Sequence, residues 1–155
     1  MVTESHNNRI YGNFIANNEN GVGLLSSENN TITENTLANN TADGIGLWGS
    51  TNNTIIRNNF INNTRQAGGG DSIPNIWDNG SEGNYWSDHT DGSTYQIESF
   101  IMDEGVTKID YDNNPLTAPV IIPEFPSWTP ILITLIALAA LLLVYKKSVQ
   151  ERGAA

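Results

Sequence analysis

Apolar and polar positions alternate over short stretches between residues 7 and 63, in segments such as "TITENTL" and "GIGLW". Alternation with a period of two is typical of β-strands, in which successive side chains point to opposite faces. The asparagines and glycines between these segments are poor helix formers. The pattern therefore predicts short strands joined by tight turns, and no helical repeat in this part of the chain.

The same stretch is an internal repeat. Three copies that begin with an Asn-Asn pair start at Asn7, Asn29 and Asn52. Aligning the copies places apolar residues in two columns and asparagine in three others: Ile10, Ile32, Ile55; Ile15, Leu37, Phe60; Asn13, Asn35, Asn58; Asn17, Asn39, Asn62; Asn18, Asn40, Asn63. A repeat of this length predicts a solenoid in which each copy stacks on the next.

One circuit of short strands per copy describes a parallel β-helix. We predict an all-β fold with about three coils, at residues 7–28, 29–51 and 52–70. The apolar columns are expected to face inward, and the asparagine columns to mark turns with side-chain amide ladders, because asparagine tolerates the left-handed conformation. Three glycines are expected at corners with positive φ: Gly21, Gly44 and Gly46.

Residues 75–91, which contain "NIWDNGSEGNYWSDH", are predicted to form an aromatic cap. The end of a β-helix leaves apolar columns and strand edges uncovered, and Trp77, Tyr85 and Trp86 offer large apolar area to cover them. Residues 92–118 would add closing strands over this cap. The alternative is that the three aromatic rings, with neighbouring acids, form a glycan-binding platform.

The C-terminal region has a different character. Residues 119–129 form a proline-rich linker, and residues 130–145 are apolar. The stretch from Trp128 to Tyr145 would span about 27 Å as a helix, close to the roughly 30 Å core of a bilayer. We predict a single transmembrane α-helix at 130–145, with the basic tail 146–155 in the cytoplasm and the bulk of the chain outside the cell.

The repeats and the run "WDNGSEGNYWSD" closely resemble the NosD-like family of right-handed parallel β-helix repeats, whose domain is also described as that of carbohydrate-binding proteins and sugar hydrolases. Residues 58–91 resemble the closing segment of archaeal surface members. The resemblance covers roughly residues 7–122 and implies a right-handed β-helix at the cell surface. "IPEFPSW", with the apolar stretch and basic cluster after it, resembles archaeal PEF-type sorting signals. That resemblance implies a sortase-like processing enzyme as a partner, but a permanent single-span anchor is the simpler interpretation and the one we favour.

Charge and composition exclude several classes of function. The chain has 17 acidic and 7 basic residues, a formal net charge of −10 and no cysteine. An acidic surface repels phosphates, so no nucleic acid partner is expected. The lack of cysteine excludes disulfides, thiolate metal sites and cysteine nucleophiles. No signal peptide is visible, which suggests another export route or a C-terminal piece of a longer product.

The resemblance to NosD also suggests a copper site, since that name is attached to copper handling in the maturation of nitrous-oxide reductase. Copper prefers His, Cys and Met ligands, and the chain offers no His pair at ligand spacing. Its candidates are isolated: His6, His89, Met1 and Met102. We therefore expect no copper and no cofactor. Calcium is the metal alternative, since oxygen ligands occur in a turn-rich setting at Asp78, Asn79, Asp88 and Asp91.

No catalytic constellation is visible, so we expect that the chain is not an enzyme. Polysaccharide-cleaving enzymes use clustered acids and bases, whereas no two acids of the coils share a repeat column. The acids concerned are Glu19, Glu28, Glu34, Asp43 and Asp71. The alternative is that the chain is the C-terminal part of a larger β-helix lyase or glycoside hydrolase.

Five Asn-x-Ser/Thr sequons are candidate glycosylation sites on an exported protein: Asn29, Asn39, Asn52, Asn62 and Asn79. The first four occupy repeat columns, where ladder formation already explains the asparagine. The predicted function is a membrane-anchored cell-surface β-helix, acting as a structural, adhesion or carbohydrate-binding module. Its expected partners are the bilayer, through residues 130–145, and surface glycans.

Overall fold

The chain divides into two units, residues 1–122 and 123–155, and the computed structural model describes the first. Residues 1–122 contain no helix, which confirms the all-β prediction for this part of the chain. Their strands are β1 (Val2–Thr3), β2 (Arg9–Tyr11), β3 (Phe14–Ala16), β4 (Val22–Leu25), β5 (Thr31–Thr33), β6 (Thr36–Ala38), β7 (Asp43–Trp48), β8 (Thr54–Ile56), β9 (Asn59–Ile61), β10 (Arg65–Gly70), β11 (Tyr85–Trp86), β12 (Tyr95–Ile101) and β13 (Val106–Asp112).

The strands form three sheets, which are the faces of a parallel β-solenoid. Sheet 1 has the order β1-β4-β7-β10-β12-β13, sheet 2 the order β2-β5-β8, and sheet 3 the order β3-β6-β9-β11. Each coil takes one strand from sheet 2, one from sheet 3 and one from sheet 1, and lies about 4.8 Å from the next coil. The register places Ile32 opposite Ile10 and Ile55, which confirms the predicted apolar column.

The solenoid has about four turns rather than the predicted three. Residues 75–91 do more than cover the end, because Ile76 forms a parallel bridge with Thr54 and β11 pairs in parallel with β9. β12 then pairs in parallel with β10, and β13 returns antiparallel along β12. The fourth turn escapes the repeat alignment because the ladder residues Asn58 and Asn84 are 26 residues apart, instead of 22 or 23.

The inward columns form a continuous core. Twelve residues are buried together: Val22, Leu24, Ile32, Leu37, Ile45, Leu47, Ile55, Phe60, Ala67, Trp77, Trp86 and Ile97. They come from all three sheets and from all four coils, so the core runs the length of the stack. A thin solenoid core of this kind leaves the outward faces of the strands and the corners to set the surface chemistry.

Positive φ falls on asparagine, as predicted, but not on the predicted glycines. Two asparagine columns have positive φ, at Asn7, Asn29 and Asn52 and at Asn17, Asn39 and Asn62. Gly21, Gly44 and Gly46 are not in this conformation, so that prediction is wrong. Gly44 serves close approach instead, since a Cβ there would lie 2.6 Å from the carbonyl oxygen of Gln66.

Several predictions fall on residues 123–155, outside the described part of the chain. They are the transmembrane helix at 130–145, most of the linker at 119–129, the cytoplasmic tail at 146–155 and most of the "IPEFPSW" motif. Among residues 1–122, no helix has the length and apolar character that crossing a membrane requires.

Candidate functional site

Amide ladders run along the corners of the solenoid. Asn30 Oδ1 accepts hydrogen bonds from the backbone N–H (2.9 Å) and the Nδ2 (3.1 Å) of Asn8. In the next coil, Asn53 Oδ1 accepts the same two hydrogen bonds from Asn30. Two further asparagine ladders pass through Asn13, Asn35, Asn58 and Asn84 and through Asn18, Asn40 and Asn63. Stacked hydrogen bonds of this kind hold neighbouring coils in one register.

A serine ladder follows a fourth corner. The backbone N–H of Ser5 donates to Ser27 Oγ at 3.1 Å, and the same contact repeats up the stack through Ser50, Ser72 and Ser99. Among the described residues, no buried side-chain nitrogen or oxygen lacks a hydrogen-bond partner. The polar side chains at the corners are therefore buried with their hydrogen bonds satisfied. The coil faces between them form a well-defined surface.

Two ladders end on carboxylates from β13. Asp112 Oδ2 accepts the backbone N–H of Asn84 (2.7 Å) and Trp86 Nε1 (2.9 Å), and Asp110 Oδ2 accepts the backbone N–H of Asn75 (2.8 Å). An ionised carboxylate only accepts, so it completes the ladder without presenting another donor. Burial raises the pKa of both carboxyl groups, although these N–H donors oppose the shift.

The predicted aromatic residues close the C-terminal end of the core. The Trp86 ring stacks between Phe60, at a centroid distance of 4.4 Å, and Tyr95, at 4.0 Å. Trp86 is 0% exposed and Trp77 is 1% exposed, while Tyr85 is partly buried. Neither indole therefore offers a face on which a sugar ring could stack, and the glycan-platform alternative does not fit these two residues.

The four sequon asparagines of the coils are exposed turn residues. Asn29, Asn39, Asn52 and Asn62 have φ between 52° and 57°. The buried ladders use the next residue of each pair, such as Asn30 or Asn53, so explaining the sequon asparagines by ladder formation is wrong. Asn79 is exposed too, in a turn where its Oδ1 accepts the backbone N–H of Ser81 at 3.0 Å. Glycosylation at these five positions stays a prediction.

Two acids of the coils, Asp43 and Glu34, form ion pairs between neighbouring turns. Arg65 binds Asp43 through two contacts, Nε to Oδ1 at 2.7 Å and Nη2 to Oδ2 at 2.8 Å. The hydrogen bond to Asp43 raises the pKa of Arg65. Arg57 lies 3.6 Å from Glu34 and also contacts Glu82 of the next turn. These pairs connect neighbouring coils.

A histidine, a serine and an aspartate meet in the loop before β12. Ser93 Oγ lies 3.0 Å from His89 Nε2, and Asp91 Oδ1 lies 3.1 Å from the same nitrogen. In a nucleophilic triad the hydroxyl and the carboxylate contact opposite nitrogens of the imidazole. Here both contact Nε2, so this arrangement cannot activate the serine hydroxyl as a triad does.

The predicted calcium ligands are not gathered into one site. Asp78 Oδ1 accepts from the backbone N–H of Gly80 and Asp78 Oδ2 from that of Asn113, at 2.8 and 2.9 Å. Burial raises the pKa of Asp78, but these hydrogen bonds outweigh it and the net pKa is lowered. Asp88 accepts from the Tyr95 hydroxyl at 3.3 Å. Within residues 1–122, no three His, Asp or Glu side chains are placed to hold a metal ion together.

An open groove that no sequence pattern predicted lies on the outer face of sheet 1. Its volume is about 350 Å³, and it is lined by Met1, Glu19, Asn20, Gly21, Gly23 and Trp48. In the sequence, Trp48 is the last residue of the alternating segment "GIGLW", and no motif marks it as functional. The sequence feature that could have predicted the groove is a pair of aligned glycines, Gly23 and Gly46, in neighbouring coils beside this tryptophan.

The repeat geometry agrees with a comparison of sequences. The sequence model of the family described as periplasmic copper-binding protein (NosD) matches residues 1–91, more than half of the chain. The chain belongs to the NosD family. That description places the family outside the cytoplasm, in agreement with the prediction that the bulk of the chain is extracellular. No curated protein and no solved structure matches this NosD-family chain.

The copper in the family description can be tested against the side chains of this NosD-family member. Copper sites use imidazole, thiolate or thioether ligands held together in a fixed geometry. His6 Nδ1 accepts the backbone N–H of Glu28 at 3.0 Å, and His89 Nε2 is engaged with Ser93 and Asp91. In residues 1–122 neither histidine belongs to a group that could hold a metal. The described residues therefore do not fit a copper centre.

Proposed function

We propose that this NosD-family chain is a non-catalytic β-helix module, displayed outside the cell from a membrane anchor at residues 130–145, which binds surface glycans. The observation that carries the proposal is the open groove beside Trp48 on sheet 1, which combines an aromatic ring with polar side chains. Sites that bind small polar ligands commonly combine apolar surface with a few polar groups.

Two further features support a binding and adhesive role over a catalytic one. Ladders and ion pairs between coils give a rigid outer surface, and rigid surfaces bind extended ligands with little loss of conformational freedom. The family description places related proteins in the periplasm, outside the cytoplasm. An anchor would hold the module against glycans of that compartment.

A polysaccharide co-sedimentation assay with the full chain in mild detergent tests the binding role. Cellulose and chitin are the insoluble probes, and the expected result is retention of the protein by at least one of them, without release of soluble sugar. No retention by either would contradict glycan binding, and release of sugar would favour the enzyme alternative.

Alkaline extraction of native membranes tests the anchor. The full chain is expected to stay with the bilayer, because a single apolar helix is not removed by loss of peripheral contacts. Intact mass then distinguishes a retained anchor from sortase-type cleavage near the "PEFPSW" segment. Complete release at high pH, with residues 130–145 still present, would overturn membrane insertion.

A further inference from the structure

The outward side of sheet 1 contains a column without side chains. Gly23 of β4 pairs with Gly46 of β7, which pairs with Gly68 of β10. Glycine in the interior of a strand weakens it and often marks a place where another group approaches the backbone closely. Three glycines in register on neighbouring coils therefore point to a group that needs the bare backbone.

Trp48 lies over two members of this column, Gly46 and Gly23, whereas a Cβ on Gly68 would lie 2.9 Å from Arg65 Cζ. A Cβ on Gly46 would lie 2.3 Å from Trp48 Cη2, so the indole rests directly on the Gly46 backbone. A Cβ on Gly23 would lie 3.7 Å from Cζ3, and one on Gly70 would lie 4.0 Å from Cδ1. The indole of Trp48, in the second coil, thus lies against the sheet with Cδ1 toward the third coil and Cζ3 toward the first. Its ring is partly buried and borders the groove.

The groove continues from this ring over Gly23. Its polar side is formed by Glu19 and Asn20, which lie in the turn before β4. That turn is held by the backbone N–H of Ala42, which donates to the Glu19 carbonyl at 2.7 Å. Asn20 Oδ1 accepts the backbone N–H of Asp43 at 3.4 Å, so its Nδ2 can donate to a ligand while the Glu19 carboxylate accepts.

These groups match a sugar ring. A pyranose has an apolar C–H face, which packs well on an aromatic ring, and hydroxyl groups at its edge that both donate and accept. A groove of about 350 Å³ is at the small end of the range for ligand sites, and suits one or two rings of a longer chain.

Charge restricts the class of sugar. The groove contains the Glu19 carboxylate, and the chain carries a net charge of −10. Arg65, which lies over Gly68 of the same sheet face, is held by two contacts with Asp43. Uronate and sulfated sugars would be repelled. We propose that the groove binds a neutral pyranose residue of a polysaccharide, stacked on Trp48; this inference rests on the proposed glycan-binding function.

Isothermal titration of the full chain in detergent tests the site. The probes are cellohexaose and chitohexaose, which are neutral, and hexagalacturonate, which is anionic. Wild-type protein is expected to bind a neutral hexamer and not the anionic one. Trp48→Ala should weaken binding at least about tenfold, or about 1.4 kcal/mol, while Trp48→Phe keeps most of the affinity. Phe14→Ala removes a ring that is 75% exposed on sheet 3 and should change nothing.

Gly23→Val is the second variant, since it retains Trp48 and blocks the floor of the groove. The new Cβ would be at ordinary contact distance, 3.7 Å from Met1 Cγ and from Trp48 Cζ3, and the two methyl groups beyond it would occupy the groove. A loss of affinity in this variant with an unchanged circular dichroism spectrum supports the site, even if Trp48→Ala proves unstable.

The remaining outcomes overturn the inference in distinguishable ways. If wild-type protein binds a neutral hexamer, and Gly23→Val and Trp48→Ala bind it equally well, the site is wrong and the proposed function stands. Preference for hexagalacturonate refutes the neutral-sugar assignment. If wild-type protein binds none of the three hexamers, both this site and the proposed glycan-binding function are refuted.

Discussion

The two ends of the coil stack are built from the same columns but finish differently. At the N-terminal end, the first ladder residues Asn8, Asn13 and Asn18 are exposed. At the C-terminal end, Asn75 and Asn84 are buried and their backbone N–H groups donate to Asp110 and Asp112. A ladder satisfies its own polar groups only in its interior, so its buried end requires an acceptor from outside the ladder.

The apolar columns show the same contrast. Phe60, Trp77 and Trp86 are essentially inaccessible at the C-terminal end, whereas Ile10 and Ile15 of the first coil are only partly buried. The C-terminal half should therefore hold more of the free energy of folding than the N-terminal half. Four predictions test this contrast, from the largest expected effect to the smallest.

Removing the closing tryptophan should have the largest effect. Trp86→Ala is expected to lower the free energy of unfolding by about 3–5 kcal/mol, because it empties a buried site between Phe60 and Tyr95. Phe14→Ala, at an exposed aromatic of the first coil, should cost less than about 0.5 kcal/mol. Urea unfolding of the full chain, followed by circular dichroism, measures both. Equal costs would contradict the proposed difference between the ends.

Interior ladder positions should be far more sensitive than the first position of the same ladder. Asn58 accepts two hydrogen bonds from Asn35 and donates to the Ile32 carbonyl at 2.9 Å, all of them buried. Asn58→Ala should cost about 3 kcal/mol, since several buried groups lose partners. Asn13→Ala should cost under about 1 kcal/mol, because water replaces the lost contacts. The same unfolding assay compares the two, and a difference below the experimental error would refute the ladder argument.

The carboxylate at the ladder end should have an intermediate effect. Asp112→Ala leaves the backbone N–H of Asn84 and Trp86 Nε1 without their acceptor, and should cost about 2 kcal/mol. Asp112→Asn should fall between wild type and alanine, because the amide oxygen restores part of the acceptor. Thermal unfolding, monitored by near-ultraviolet circular dichroism of the tryptophans, reports both variants. An alanine variant as stable as wild type would show that the ladder needs no such end.

The smallest effect is a pH dependence of opposite sign at two aspartates. Burial raises the pKa of Asp112 above its ordinary 3.8, so its contribution to stability is complete below pH 3.8 and declines as pH rises through the raised value. The net pKa of Asp78 is lowered, so its contribution is present above pH 3.8 and is lost as pH falls through the lowered value.

Urea titrations of Asp112→Ala and Asp78→Ala between pH 3 and pH 7 check these signs. The cost of Asp112→Ala should shrink as pH rises from about 3.8, and the cost of Asp78→Ala should shrink as pH falls below it. Parallel curves for the two variants would show that burial does not govern Asp112.

Much of the repeating part follows from the sequence because its cause is local. The period fixes which residues stack, and the columns through Ile32 and Leu37 have the predicted register. The choice of asparagine at left-handed turns is likewise a property of each residue and its neighbours. Aligning the repeats does not show which asparagine of each Asn-Asn pair forms the turn and which joins the ladder. In the structure Asn29 has the left-handed turn conformation and Asn30 joins the ladder.

The tertiary structure decided the features that depend on distant residues meeting. Asp112 reaches Asn84 from 28 positions away, and no spacing in the sequence marks it as the end of a ladder. The fourth turn has a longer link than the repeat, and Trp48 borders the groove because Gly46 of its own strand and Gly23 of the neighbouring coil leave room for its ring. The repeat determines how one coil follows another, since that is set by local backbone preference. How the stack ends and where it opens is set by packing between segments far apart in the chain.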